Sequence, residues 1–302
     1  MRLHLLFAAA LTMSASASAQ TVIDDSIPPG TNFDKAQFRL WLPPAGGALR
    51  GALILVPGSN GDGRSMAEDT VWQAFARRNN LAIVACRFTD KPHDQGFIEE
   101  YVNVSKGSGQ ALLDVIGRFA ARTRHPELAS APLLFWGMSA GGQFDYEFAA
   151  WKPERVVAFV VNKGGIYYTA LTSRATRAVP GLLFIGGKDL EQRVNTITGL
   201  FAVNRRGGAL WALTEEPSAA HVVGRSRDLA IMFFDDVLPL RLDAESDALK
   251  PLDEKSGFVG DYHTKTIAPM GQGPLPSYPT SWLPTERVAR AWQAVITERP
   301  FP

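Results

Sequence analysis

Five short apolar runs constrain the fold more than any other feature of this chain. They are Gly51-Ala-Leu-Ile-Leu-Val56, Leu81-Ala-Ile-Val-Ala-Cys86, the run from Pro132 to Trp136, Val156-Val-Ala-Phe-Val-Val161 and Gly181-Leu-Leu-Phe-Ile185. Each is too short for a helix and is continuously apolar instead of alternating. That is the pattern of a strand buried on both faces. Between the runs lie segments with helical spacing. Residues 65–78 place Met66, Val71, Trp72 and Phe75 on one face, and residues 107–121 do the same with Leu112, Val115, Ile116 and Phe119. A further helix is expected over 225–238. Strands alternating with amphipathic helices predict an α/β fold with a mainly parallel central sheet and helices on both faces. Residues 209–213 read as the last strand of that sheet. Phe38-Arg-Leu-Trp-Leu42 alternates and reads as an exposed edge strand, while residues 21–32 read as a loop.

In a parallel sheet the chemistry gathers at the carboxyl ends of the strands, and the unusual polar loops of this sequence all fall there. One of them is decisive. The run from Pro132 leads into Gly137-Met-Ser-Ala-Gly141 and then into a helical pattern through Phe148. A serine at the apex of a sharp strand-to-helix turn is the setting of a nucleophile elbow, where the flanking residues must be small. Gly137 and Gly141 meet that demand, and the Ala140 N–H is left to face a developing oxyanion.

A serine hydroxyl needs a base oriented by a carboxylate. His221 follows the last expected strand and precedes the final core helix, which suits a base returning to the elbow; His263 and His93 are the alternatives. The acid should lie between Ser139 and His221 at a strand end. Asp189 fits, with Glu191 the runner-up. A second oxyanion donor is expected from the loop after Val56, at the N–H of Ser59 or Asn60. That Gly-rich loop lacks the spacing of nucleotide-binding loops, and no H-E-x-x-H metal signature occurs, so no metal or organic cofactor is implied.

The N-terminus reads as a secretory signal peptide over residues 1–19. Met1-Arg2 is basic, residues 3–13 are apolar, and Ala17-Ser-Ala19 suits cleavage before Gln20. No later apolar segment is long enough to span a bilayer. Export to the periplasm or the medium is therefore expected. A domain over 20–240 follows, then a Pro- and Gly-rich extension over 241–302 packed on the same domain and closed by a helix. Pro284 is expected in the first turn of that helix, with Val288, Trp292, Val295 and Ile296 on its apolar face. The formal net charge of +1 gives no reason to expect nucleic acid as a partner. The single cysteine, Cys86, excludes an internal disulfide and reads as a buried small hydrophobe.

Gly137-Met-Ser-Ala-Gly141, Asp189 and His221 in that order, with the Val56-Pro-Gly-Ser-Asn60 loop, resemble the α/β-hydrolase superfamily over roughly residues 35–240. Within it the chain looks most like secreted esterases of the poly(3-hydroxybutyrate) depolymerase and feruloyl esterase group. The resemblance implies the α/β-hydrolase fold and an acyl-enzyme mechanism on a small or polymeric ester. Two features depart from the group: Pro57-Gly58 stands where His-Gly is usual in the oxyanion loop, and no disulfide can form. Amide cleavage by the same triad, in a peptidase or polyamide hydrolase, is an alternative reading. A binding protein that keeps the fold without catalysis is another.

Overall fold

The structure is a computed structural model that describes residues 21–44, 47–96, 98–243, 249–272 and 276–302. The expected signal peptide lies outside the described residues. The main sheet has eight strands: β1 (Thr21–Ile27), β2 (Lys35–Leu42), β3 (Gly51–Val56), β4 (Leu81–Thr89), β5 (Leu133–Met138), β6 (Val156–Asn162), β7 (Gly181–Gly186) and β8 (Trp211–Glu216). Their spatial order is β1-β2-β4-β3-β5-β6-β7-β8. The two pairings made by β2 are antiparallel, and β4-β3-β5-β6-β7-β8 run parallel. Helices α1 (Thr70–Asn79), α2 (Ser108–Thr123), α3 (Ala140–Trp151), α4 (Arg174–Arg177), α5 (Glu191–Arg206), α6 (Ser226–Arg241) and α7 (Glu286–Ile296) accompany it.

Burial explains the layering. Every residue of β3, β6 and β7 is buried, because side chains pointing either way meet helices. One core joins the sheet to α2, α3 and α5 through residues such as Leu112, Phe144 and Ile197. The other joins it to α1, α6 and α7 through Trp72, Phe233 and Trp292. Cys86 is a fully buried free thiol in the first core, as its apolar neighbours suggest.

Four local expectations are corrected. Residues 21–27 are a strand and not a loop: β1 pairs along β2 from Thr21 opposite Leu42 to Ile27 opposite Ala36. Its acidic residues disguise it, yet Asp24 binds Arg39 at 2.7 Å on one face of the sheet and Asp25 binds Arg122 of α2 at 3.0 Å on the other. Phe38–Leu42 is consequently not the edge, and Leu40 and Trp41 are fully buried in β2. The 65–78 helix is broken at Asp69, whose Oδ1 accepts the Val71 N–H at 2.8 Å and caps α1. Finally, Pro284 lies outside α7, because Thr285 is the cap and its Oγ1 accepts the Val288 N–H at 3.2 Å.

Helix α5 carries no signal strong enough to announce it. Its apolar positions Ile197, Leu200 and Phe201 do have helical spacing, but buried Asn204 and Arg205 share that face. The extension, with little periodicity in sequence, folds into three short antiparallel strands ordered β10-β9-β11: β9 (Phe258–Asp261), β10 (Thr266–Pro269) and β11 (Ser281–Leu283). It is tied to the last strand of the main sheet. Ser281 Oγ accepts the Leu213 N–H at 2.9 Å, and Trp292 Nε1 donates to the Leu213 carbonyl at 2.8 Å.

Candidate active site

The site sits where the connections of the sheet diverge. Strands β3 and β5 are neighbours, but the chain leaves β3 toward β4 and leaves β5 toward β6. A crevice opens outside the carboxyl ends at such a point, and both key loops border it.

Ser139 stands alone between β5 and α3 with φ 55° and ψ −122°, a conformation that L side chains rarely adopt. Its N–H donates to the Asn162 carbonyl at 2.7 Å, and its carbonyl accepts the Gln143 N–H at 3.1 Å. These bonds and the rigid elements on either side hold the strained turn. The glycines are sterically required. A Cβ on Gly141 would strike the carbonyl oxygens of Val56 and Pro57, and one on Gly137 would strike the backbone of Gly141.

The loop after β3 packs directly on Ser139: a Cβ on Gly58 would lie 3.7 Å from that of Ser139. Gly58, Ser59, Ser139 and His221 border one cavity of about 880 Å³, with Met138 and Ile166 among its apolar walls. The Ala140 N–H is at the first position of α3, where no intrahelical acceptor exists, so it remains available at the positive end of the helix. Of the two expected loop donors, only Ser59 faces the cavity. The Asn60 N–H donates instead to the Tyr101 hydroxyl at 3.3 Å, and Asn60 Oδ1 accepts the Asp90 N–H at 2.7 Å. Asn60, at φ 54°, turns the loop and is committed to packing.

His221 and Asp189 meet. Nδ1 of His221 lies 2.8 Å from Oδ2 of Asp189, whose side chain is only 2% exposed. A carboxylate on Nδ1 keeps the proton there and leaves Nε2 as the basic nitrogen. The other carboxylate oxygen accepts the Leu190 N–H at 2.7 Å and Arg193 Nη1 at 3.0 Å. Burial alone would push the Asp189 carboxyl up. The contacts with His221, Leu190 and Arg193 outweigh it and hold the carboxyl below its ordinary value. Among the described residues the Ser139 hydroxyl makes no hydrogen bond.

The alternatives fall elsewhere. Nε2 of His93 is 3.6 Å from Asp90, His263 packs on Tyr278 in the extension, and Glu191 is the exposed first residue of α5. Tyr101 is buried and Tyr167 is half-buried, and neither lines the cavity. Arg193 was not anticipated, although its place four residues after Asp189 on a helix start could have suggested it.

No protein-family model matches the chain, and no curated protein matches it in sequence. Solved structures do match in shape. A ferulic acid esterase superposes with a TM-score of 0.53 at 11% identity, covering 73% of this chain and 99% of that one. An S-formylglutathione hydrolase, FrmB from Staphylococcus aureus, superposes with a TM-score of 0.51 at 12% identity, covering 75% and 100%. With the strand order and elbow above, these likenesses define an α/β-hydrolase fold.

Proposed function

We propose that this protein is a serine hydrolase that cleaves carboxylic esters through Ser139, His221 and Asp189. The observation that carries the reading is the convergence of three distant segments. A strained serine and a histidine already held by a buried carboxylate border the same cavity. In the reaction, His221 Nε2 takes the Ser139 proton as Oγ attacks the ester carbonyl carbon. The N–H groups of Ala140 and Ser59 receive the oxyanion. Collapse breaks the bond to the alcohol, which leaves with the proton from His221, and the acyl group remains on Ser139. Water, deprotonated by His221, then releases the acid. The apolar walls suit the acyl or alcohol part of the ester.

Hydrolysis of p-nitrophenyl acetate and butyrate by the wild type and by Ser139→Ala tests this directly. A kcat reduced on the order of 10⁶-fold in the variant is expected, and equal turnover in both would remove the proposal. Export is part of the same proposal, on the strength of the basic, apolar and small-residue pattern over residues 1–19. N-terminal sequencing of the secreted or periplasmic product should begin at Gln20.

A further inference from the structure

Asn162, Lys163 and Glu216 lie outside the triad, yet they connect its parts. Lys163 is fully buried at the carboxyl end of β6, in a left-handed backbone conformation of φ 58°, with its N–H donating to the Phe184 carbonyl at 3.1 Å. Its ammonium reaches Glu216, 6% exposed at the end of β8, and donates to Asn162 Oδ1 at 3.0 Å. Asn162 faces both halves of the site. Its carbonyl accepts the Ser139 N–H at 2.7 Å, and its Nδ2 donates to the Val223 carbonyl at 3.1 Å. Glu216 Oε1 accepts the Arg225 N–H at 2.5 Å. Val223 and Arg225 close the loop that bears His221. The packing leaves no slack: a Cβ on Gly224 would strike the Glu216 carboxylate, and one on Gly186 would lie 2.6 Å from the Ala219 carbonyl oxygen and 3.0 Å from Lys163 Cε.

A buried ion pair is a poor source of net stability, since a well-packed apolar pair does as well or better. The position of this one suggests a different use. We infer that Asn162, Lys163 and Glu216 are positioning residues that set the His221 loop against the Ser139 turn, with the ammonium as the central node. The inference rests on the Ser139–His221–Asp189 reading and adds a second layer beneath it. Among the described residues the triad histidine has one side-chain hydrogen-bond partner, Asp189. Its loop lacks regular structure and must take its precision from below. Errors of about 1 Å in such arrays cost roughly 100-fold in rate.

The test compares Lys163→Met, Glu216→Gln, the uncharged double variant and Asn162→Ala, with Ser139→Ala alongside. Unfolding midpoint, kcat and KM for p-nitrophenyl butyrate are measured for each. Either single change to the ion pair leaves one buried charge alone and is expected to lower the midpoint sharply. The double variant separates the roles. Its midpoint should return toward the wild type while kcat stays about 100-fold low, with KM changed far less. Asn162→Ala keeps the ion pair and cuts the Val223 link, so it should lower kcat in the same manner but less. Wild-type kcat in the folded double variant, or in Asn162→Ala, would overturn the inference. If Ser139→Ala itself keeps turnover, the site reading fails first, and the two failures are thereby told apart.

Discussion

The two halves of the site are held by opposite means. The serine half is built from neighbours in sequence: strand, turn and helix over 133–151, with Gly137 and Gly141 giving the clearance. The histidine half is a loop without regular structure, held by residues up to about sixty positions away, including Asn162 and Glu216. A local device can be written in five residues. A distributed one cannot, and its parts look ordinary until the sheet brings them together.

The largest effect that sharpens this comparison comes from the bridge between the halves. Asp189→Asn should keep the fold but lower kcat on the order of 10⁴-fold, because an amide no longer fixes the histidine tautomer. Steady-state kinetics with a circular-dichroism control would check it, and a loss below tenfold would mean that another group orients His221.

The next effect sets one glycine against another. Gly141→Ala drives a methyl into two backbone carbonyls that cannot move aside, so a loss of at least about 3 kcal/mol and of all activity is expected. Gly224→Ala meets a side chain, Glu216, and a φ of 56°, so a smaller loss of roughly 1–3 kcal/mol is expected. Chemical denaturation of both variants measures the difference. The reverse order would show that the histidine loop, not the elbow, is the rigid half.

The smallest effect probes the floor of the elbow. Asp145 is fully buried beside Gly137, and among the described residues neither carboxylate oxygen has a hydrogen-bond partner. Burial holds its carboxyl well above the ordinary value of 3.8. A raised carboxyl stabilises the fold most below that value, and the contribution is lost as pH rises toward the folded-state value. Asp145→Asn should therefore raise the melting temperature by a few degrees at pH 7 and leave it nearly unchanged at pH 3. Equal shifts at both pH values would show that the proton on Asp145 is not the cause.

Legibility in sequence follows the same division. The strands at 51–56, 133–138, 156–162 and 181–186 were evident because burial on both faces makes them continuously apolar. Strand β1 was hidden by Asp24 and Asp25, which an edge strand can direct to solvent and to Arg39 and Arg122. The encounter of Asp189 with His221 was predictable from their places at strand ends. The loss of Asn60 as a donor was not, since it depends on Tyr101, more than forty residues away in the chain. Lys163 gave no hint of burial, because its partner Glu216 is two strands distant in the sheet.

The central claim is that one serine, activated by His221, is the nucleophile. Reaction of the folded protein with a fluorophosphonate, followed by mass spectrometry of its peptides, tests it most directly. A single adduct on Ser139, formed quickly in the wild type and very slowly in His221→Ala, is the predicted result. An adduct on another residue, or a folded protein that does not react, would contradict the account.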